Sequence, residues 1–147
     1  MMTELEIARL AAIEAGGIIS SYYKSNYQIK EKGYKNLVTT ADQKSDECLK
    51  KFLMEARPQY GWLSEETLDD NRRITKKRVW VVDPLDGTKE FIEGIPNFVV
   101  SIGLVENGVP IVGVLHNPIT LETFMASKGN GAFLNGKLIK CKAKQNV

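Results

Sequence analysis

Val79-Trp80-Val81-Val82-Asp83-Pro84-Leu85-Asp86-Gly87-Thr88 is a short apolar run that empties into two carboxylates, a glycine and a threonine. Continuous apolar character with β-branched residues reads as a strand buried on both faces. Pro84 lacks an amide donor and has a fixed φ, and Gly87 permits a tight turn. Asp83 and Asp86 are therefore expected to project from one bend instead of from opposite faces of a strand. Paired carboxylates suit a hard cation such as Mg²⁺, which keeps several waters and takes one or two carboxylates plus phosphate oxygens. Gly87 and Thr88 begin a helical turn over Lys89-Glu90-Phe91-Ile92-Glu93, and free amides at such a start attract anions. The stretch thus reads as a metal-and-phosphate site. An isolated Asp-Gly pair is ordinarily only a turn. Here a second Asp lies three residues earlier, and a further acidic pair, Glu65-Glu66, occupies the loop after Trp62-Leu63-Ser64, which favours the chemical reading.

On the N-terminal side the pattern is helical. Thr3-Glu4-Leu5-Glu6 fits a capping box, and Leu5, Ala8, Ala12, Ala15, Ile19 and Tyr22 recur at helical spacing, predicting an amphipathic helix over roughly residues 4 to 24. Thr40-Ala41-Asp42-Gln43 repeats the cap pattern; Cys48, Leu49, Phe52, Leu53 and Ala56 form an apolar stripe, and Pro58 lies past its end. On the C-terminal side the pattern turns to strands. Residues 98–105 and 109–116 flank Asn107-Gly108, Asn117-Pro118 precedes a further strand over 121–126, and Asn135-Gly136 marks another hairpin. Local connections of this kind predict an α+β fold, two N-terminal helices packed on one face of a mainly antiparallel sheet.

Composition fits one respectable core: 147 residues, 43% hydrophobic, net charge +2. Lys128, Lys137, Lys140, Lys142 and Lys144 occur without an acid between positions 123 and 147 and read as solvated surface; with no nucleic-acid motif, no specific nucleic-acid partner is expected. Cys48 and Cys141 lack CxxC spacing and no signal segment is evident, so a reducing, cytoplasmic location is expected, with Cys48 packing in a helix. No apolar run approaches the roughly 20 residues that span a bilayer.

Leu63-Ser64-Glu65-Glu66 followed by Trp80 to Thr88 resembles the paired signature of the inositol monophosphatase superfamily of Mg²⁺-dependent phosphomonoesterases. Asn36-Leu37-Val38-Thr39-Thr40-Ala41-Asp42 and Gly129-Asn130-Gly131-Ala132-Phe133-Leu134-Asn135-Gly136 are similar to its flanking segments, in the same order. The resemblance implies that Glu65, Asp83, Asp86 and the Leu85 carbonyl ligate metal, and that Gly87 and Thr88 hold substrate phosphate through their amides. It also implies that Thr88 and Asp42 orient the attacking water, making Asp42, Glu65 and Thr88 the catalytic set, with Glu66 close by. Asp42 has a plain alternative, since an acid in the first turn of a helix stabilises its dipole.

The implied reaction is hydrolysis of a phosphorylated small molecule by metal-activated water, which needs no protein nucleophile. His116, the only histidine, sits in a strand pattern and is read as packing, which disfavours histidine phosphatases. Haloacid-dehalogenase-type phosphatases use Asp-x-Asp-Gly-Thr, whereas this chain has Asp-x-x-Asp-Gly-Thr and hairpins instead of βα units. Lys89-Glu90-Phe91 resembles the branch acting on 3'(2'),5'-bisphosphate nucleotides; inositol monophosphate is the alternative substrate. Family members continue into a second domain with a Trp-Asp-x-Ala-Ala-Gly segment, a segment that does not occur here. The expectation is a single domain over 1–147 equivalent to the N-terminal metal-binding half, either a poor enzyme alone or a metal- or partner-binding domain. Its uncovered apolar face is expected to meet a second copy or a complementing C-terminal half.

Overall fold

A computed structural model describes residues 1–143; Lys144 of the basic segment lies outside the described residues. Helix α1 spans Glu4–Tyr22 and opens with the expected capping box, the Thr3 hydroxyl accepting from the Glu6 amide and the Glu6 carboxylate accepting from the Thr3 amide. Its small residues Ala8, Ala11, Ala12 and Ala15 are fully buried, which lets it lie close to helix α2, Thr40–Ala56. Arg57, at the end of α2, donates from Nε to Glu4 Oε1 at 2.6 Å and ties the two helices together. The cap of α2 differs from expectation by one residue: Thr39 is the N-cap and Asp42 its reciprocal partner, not Thr40 and Gln43. Both threonines could serve locally; the earlier one does, and its partner Asp42 is fully buried.

Between the helices lies a hairpin that the sequence did not reveal, β1 (Ile29–Gly33) paired antiparallel with β2 (Asn36–Thr39). Every residue of β1 is exposed, so it carries no apolar alternation to read. The remaining strands are β3 (Gly61–Ser64), β4 (Arg78–Asp86), β5 (Val99–Glu106), β6 (Val109–Asn117), β7 (Glu122–Ser127), β8 (Ala132–Leu134) and β9 (Lys137–Ile139), which form one sheet in sequence order. All pairs are antiparallel except β3 with β4, which run parallel. Trp62-Leu63-Ser64 is therefore a strand, where the sequence suggested only the approach to a loop. Asn107-Gly108 turns β5 into β6 as expected, with both residues at positive φ (48° and 80°), the conformation that matches the twist of a two-residue hairpin.

The expectation that β4 is buried on both faces is corrected. Trp80 and Val82 are buried at 0% and 3% exposure, but Val81 between them is 38% exposed. Helices α1 and α2 cover only one face, where Trp80, Val82, Val100, Ile102, Leu104 and Val114 meet Ala11, Ile19, Leu49 and Leu53. The apolar run arose because the opposite face is apolar too, although it lies open. Trp80 Nε1 is buried without a hydrogen-bond partner among the described residues. His116 packs as expected: it lies under Gly16 of α1, its Nδ1 is 2.8 Å from Thr123 Oγ1, and burial holds its pKa below the usual value. Cys48 is half-buried, and burial followed by the charge of Glu14 pushes its thiol pKa up, the reverse of what a nucleophile needs. No helix among the described residues is long and apolar enough to cross a membrane.

Candidate active site

The site forms where β3 and β4 end side by side. Their parallel register pairs Ser64 with Val82, so the next residues, Glu65 and Asp83, leave the sheet at the same edge, and the Glu65 amide still donates to the Val82 carbonyl at 3.2 Å. Beyond Asp83 the pairing of β4 with β5 breaks and resumes at Asp86, which makes the expected bend. Asp83 Oδ1 accepts from the Leu85 amide at 3.3 Å, folding its side chain over that bend. Gly87 then takes φ +105°, and a Cβ there would stand 2.7 Å from the Asn97 carbonyl oxygen, so both conformation and space require glycine. Helix α3, Thr88–Glu93, follows directly. The amides of its first turn have no intrahelical acceptor.

Asp42 reaches this edge from α2 and is fully buried. Its Oδ2 accepts from the Thr39 amide at 2.7 Å and the Thr39 hydroxyl at 2.6 Å, while Oδ1 accepts from the Thr88 hydroxyl at 2.8 Å. The two readings of Asp42, helix cap and partner of Thr88, are thus both realised, one on each oxygen. The Leu85 carbonyl lies 3.2 Å from the same hydroxyl.

Burial, then the charges of Asp86, Glu65 and Glu66, raise the Asp83 pKa from 3.8 to about 6, against the stabilising Leu85 amide. Three carboxylates thus act on the charge of Asp83. They are neighbours, not a closed cage: among the described residues no three carboxylate, imidazole or thiol side chains converge in ligating geometry. Glu65 and Asp86 are exposed at the edge. An all-oxygen donor set around a half-buried Asp83 fits a hard divalent cation.

Two residues missed in the sequence complete the arrangement. Lys32 of β1 donates to the Glu65 carbonyl at 3.0 Å and to Glu66 Oε2 at 2.6 Å. Burial raises the Glu66 pKa against the opposing hydrogen bond and charge of Lys32. Asp46 of α2 accepts from the hydroxyls of Ser64 and Thr67, either side of Glu65-Glu66. A signal for Asp46 was present, since Asp42, Ser45, Asp46, Leu49 and Leu53 share one helical face. No comparable periodicity marks Lys32. Beside Thr88, a cleft of about 750 Å³ between the β1–β2 hairpin and α3 is lined by Lys35, Leu37, Lys89 and Ile92 among others.

Helices on one face of a mostly antiparallel sheet, with carboxylates and a threonine gathered where its one parallel pair ends, define a layered α+β protein with an oxygen-donor site. The profile of the Inositol monophosphatase family matches residues 1–147, and the chain belongs to that family. Over 97% of its length it is 40% identical to "Inositol monophosphatase 2" of Solanum lycopersicum and 36% identical to "Fructose-1,6-bisphosphatase/inositol-1-monophosphatase" of Aquifex aeolicus. The crystal structure of the extragenic suppressor protein suhB from Bartonella henselae superposes with a TM-score of 0.89 at 37% identity, covering 94% of this chain and 54% of that one. The chain spans about half the length of the curated relatives it matches, 55% and 54% for the two sequences named. The names of these relatives are those of inositol monophosphatases and give no support to the finer nucleotidase branch suggested by Lys89-Glu90-Phe91. In the fold Phe91 is 1% exposed and packs against Tyr23, Tyr27 and Phe98, so it is a core residue, and only Lys89 of the three lines the cleft.

Proposed function

We propose that this chain is the metal-binding half of a Mg²⁺-dependent phosphomonoesterase acting on an inositol monophosphate. The observation that carries the reading is the placement of the Asp42–Thr88 pair beside Asp83, Asp86 and Glu65 at the end of one parallel strand pair. In it Glu65, Asp83, Asp86 and the Leu85 carbonyl would hold Mg²⁺. Bound there, the cation supplies a more acidic water and neutralises phosphate charge. The chain's own residues do the rest. Asp42 Oδ1, at 2.8 Å, is a closer and charged acceptor for the Thr88 hydroxyl than the Leu85 carbonyl at 3.2 Å, so the proton goes to the carboxylate and the lone pairs are left for an incoming water. That fixes the water's orientation. The amides of Gly87 and Thr88 take the phosphate oxygens.

A second reading, a 3'(2'),5'-bisphosphate nucleotide as substrate, is supported by Lys35 and Lys89 in the cleft beside Thr88, where a second phosphate would find cations. Calorimetric titration of Mg²⁺ into wild type and Asp83→Asn tests the metal assignment. Binding at least tenfold weaker in the variant is expected, and equal affinity overturns it.

A further inference from the structure

We propose that Asp46 is a positioning residue for the acidic loop Glu65-Glu66, holding it against α2 so that Glu65 stands beside Asp83; the proposal rests on the metal-site reading above. Asp46 is 8% exposed, and each of its carboxylate oxygens takes one hydroxyl: Oδ1 that of Ser64, Oδ2 that of Thr67 at 2.5 Å. Those two hydroxyls bracket Glu65 and Glu66 in sequence, so one carboxylate closes both ends of the loop.

Both hydroxyl oxygens are already acceptors from elsewhere. Ser64 Oγ accepts from the Glu66 amide at 3.2 Å, and Thr67 Oγ1 accepts from Trp62 Nε1 at 3.2 Å. Each also has a proton to give, and Asp46 takes both. A carboxylate can accept from both hydroxyls at once; an amide has one acceptor and one donor, so one of the two hydroxyls would have to turn its proton away and accept instead. The carboxylate is the group that accepts both hydroxyl protons as they stand.

Asp46 also lies one helical turn after Asp42, which holds Thr88, and between them Ser45 Oγ lies 3.5 Å from the Pro84 carbonyl. One buried polar face of α2 thus touches the Thr88 turn, the Asp83–Asp86 bend and the Glu65 loop in succession. Helix geometry fixes the spacing between these contacts, so α2 sets where the segments from β3 and β4 stand relative to each other.

The experiment compares wild type with Asp46→Asn by Mg²⁺ calorimetry and by acrylamide quenching of tryptophan emission in the metal-free protein. Trp80 is fully buried, so quenching reports chiefly on Trp62, whose indole is tied into the same network. Expected are Mg²⁺ affinity weakened about tenfold, as for other groups that orient metal ligands, and faster quenching with an unchanged far-ultraviolet dichroism spectrum. Wild-type affinity and wild-type quenching in the variant would overturn the proposal. A thermal midpoint that falls while Mg²⁺ affinity at 20 °C below it stays put would overturn it too, because Asp46 would then serve stability alone. Should Asp46→Asn fail to fold, the Ser64→Ala/Thr67→Val double variant removes the same bonds from the other side, and unchanged affinity there overturns it equally. If wild type binds no Mg²⁺, the metal-site reading falls with the positioning proposal, whereas tight wild-type binding unaffected in the variant removes the proposal only.

Discussion

The Thr88 hydroxyl donates to Asp42 Oδ1 at 2.8 Å, joining the first turn of α3 to the first turn of α2 across 46 positions of sequence. Because the other oxygen of Asp42 caps its own helix through Thr39, one buried carboxylate serves a local and a long-range contact at once. Asp42→Ala should strand the Thr39 amide and two hydroxyls and cost about 2–4 kcal/mol in urea unfolding. Thr88→Val, which leaves Asp42 Oδ1 of a buried carboxylate without its hydroxyl but keeps the cap, should cost less, about 1.5–2 kcal/mol. Equal losses in the two variants would show that the cap is not the larger part.

Charge at Asp83 opposes folding and favours metal. Its folded pKa of about 6 lies above the ordinary 3.8, so the native state binds more protons than the unfolded chain in that window, and metal-free stability falls as pH rises from 4 to 6. Asp83→Asn should therefore stabilise the metal-free protein at pH 7 by about 1–2 kcal/mol, the shift being discounted for partial solvent screening. The two proteins should converge near pH 4. Mg²⁺ binds the charged form, so wild-type affinity should climb between pH 5 and 7 and then level. Coincident urea curves at pH 7 would contradict this.

The open sheet face should drive association. Val81, Leu115 and Phe124 lie together on it, at 38%, 42% and 39% exposure, around a shallow apolar cavity of about 500 Å³. Leu115→Lys or Phe124→Lys should raise the concentration at which light scattering detects self-association, with little change in the thermal midpoint because both side chains are already partly in water. Association at the same concentration in wild type and both variants would place the contact elsewhere.

For substrate, phosphate release from inositol 1-phosphate should exceed that from 3'-phosphoadenosine 5'-phosphate, assayed on the chain alone and with a separately expressed C-terminal half of a relative. If the nucleotide is preferred, Lys89→Thr should reverse the order, since Lys89 alone of the three branch-like residues faces the cleft. A nucleotide preference insensitive to Lys89 would assign specificity to other residues.

The helices, their caps and the Asn-Gly hairpins were legible because each is decided within a few residues: a hydroxyl three positions before an acid, an apolar stripe at helical spacing, a dipeptide that tolerates positive φ. The slip of the α2 cap from Thr40 to Thr39 shows where local reading stops. Two adjacent threonines offer nearly equivalent caps, and the choice fell to the register that buries Asp42 and Asp46 on the side facing β3 and β4. The β1–β2 hairpin escaped because all of β1 is exposed and shows no alternation.

The sequence by itself determined the bend of Asp83-Pro84-Leu85-Asp86-Gly87, since proline's fixed φ and the left-handed conformation required at Gly87 are properties of the residues themselves. Tertiary structure alone decided that β3 runs parallel to β4, and this is what delivers Glu65 to Asp83 and brings Asp46 and Lys32 to the intervening loop. Side-chain alternation can say which face of a strand is apolar, but the direction and register of its partner follow from hydrogen bonds and packing between segments distant along the chain. The same limit explains the open face. An apolar run such as Val79–Val82 records apolar side chains on both sides, and only the packed helices reveal which side is covered.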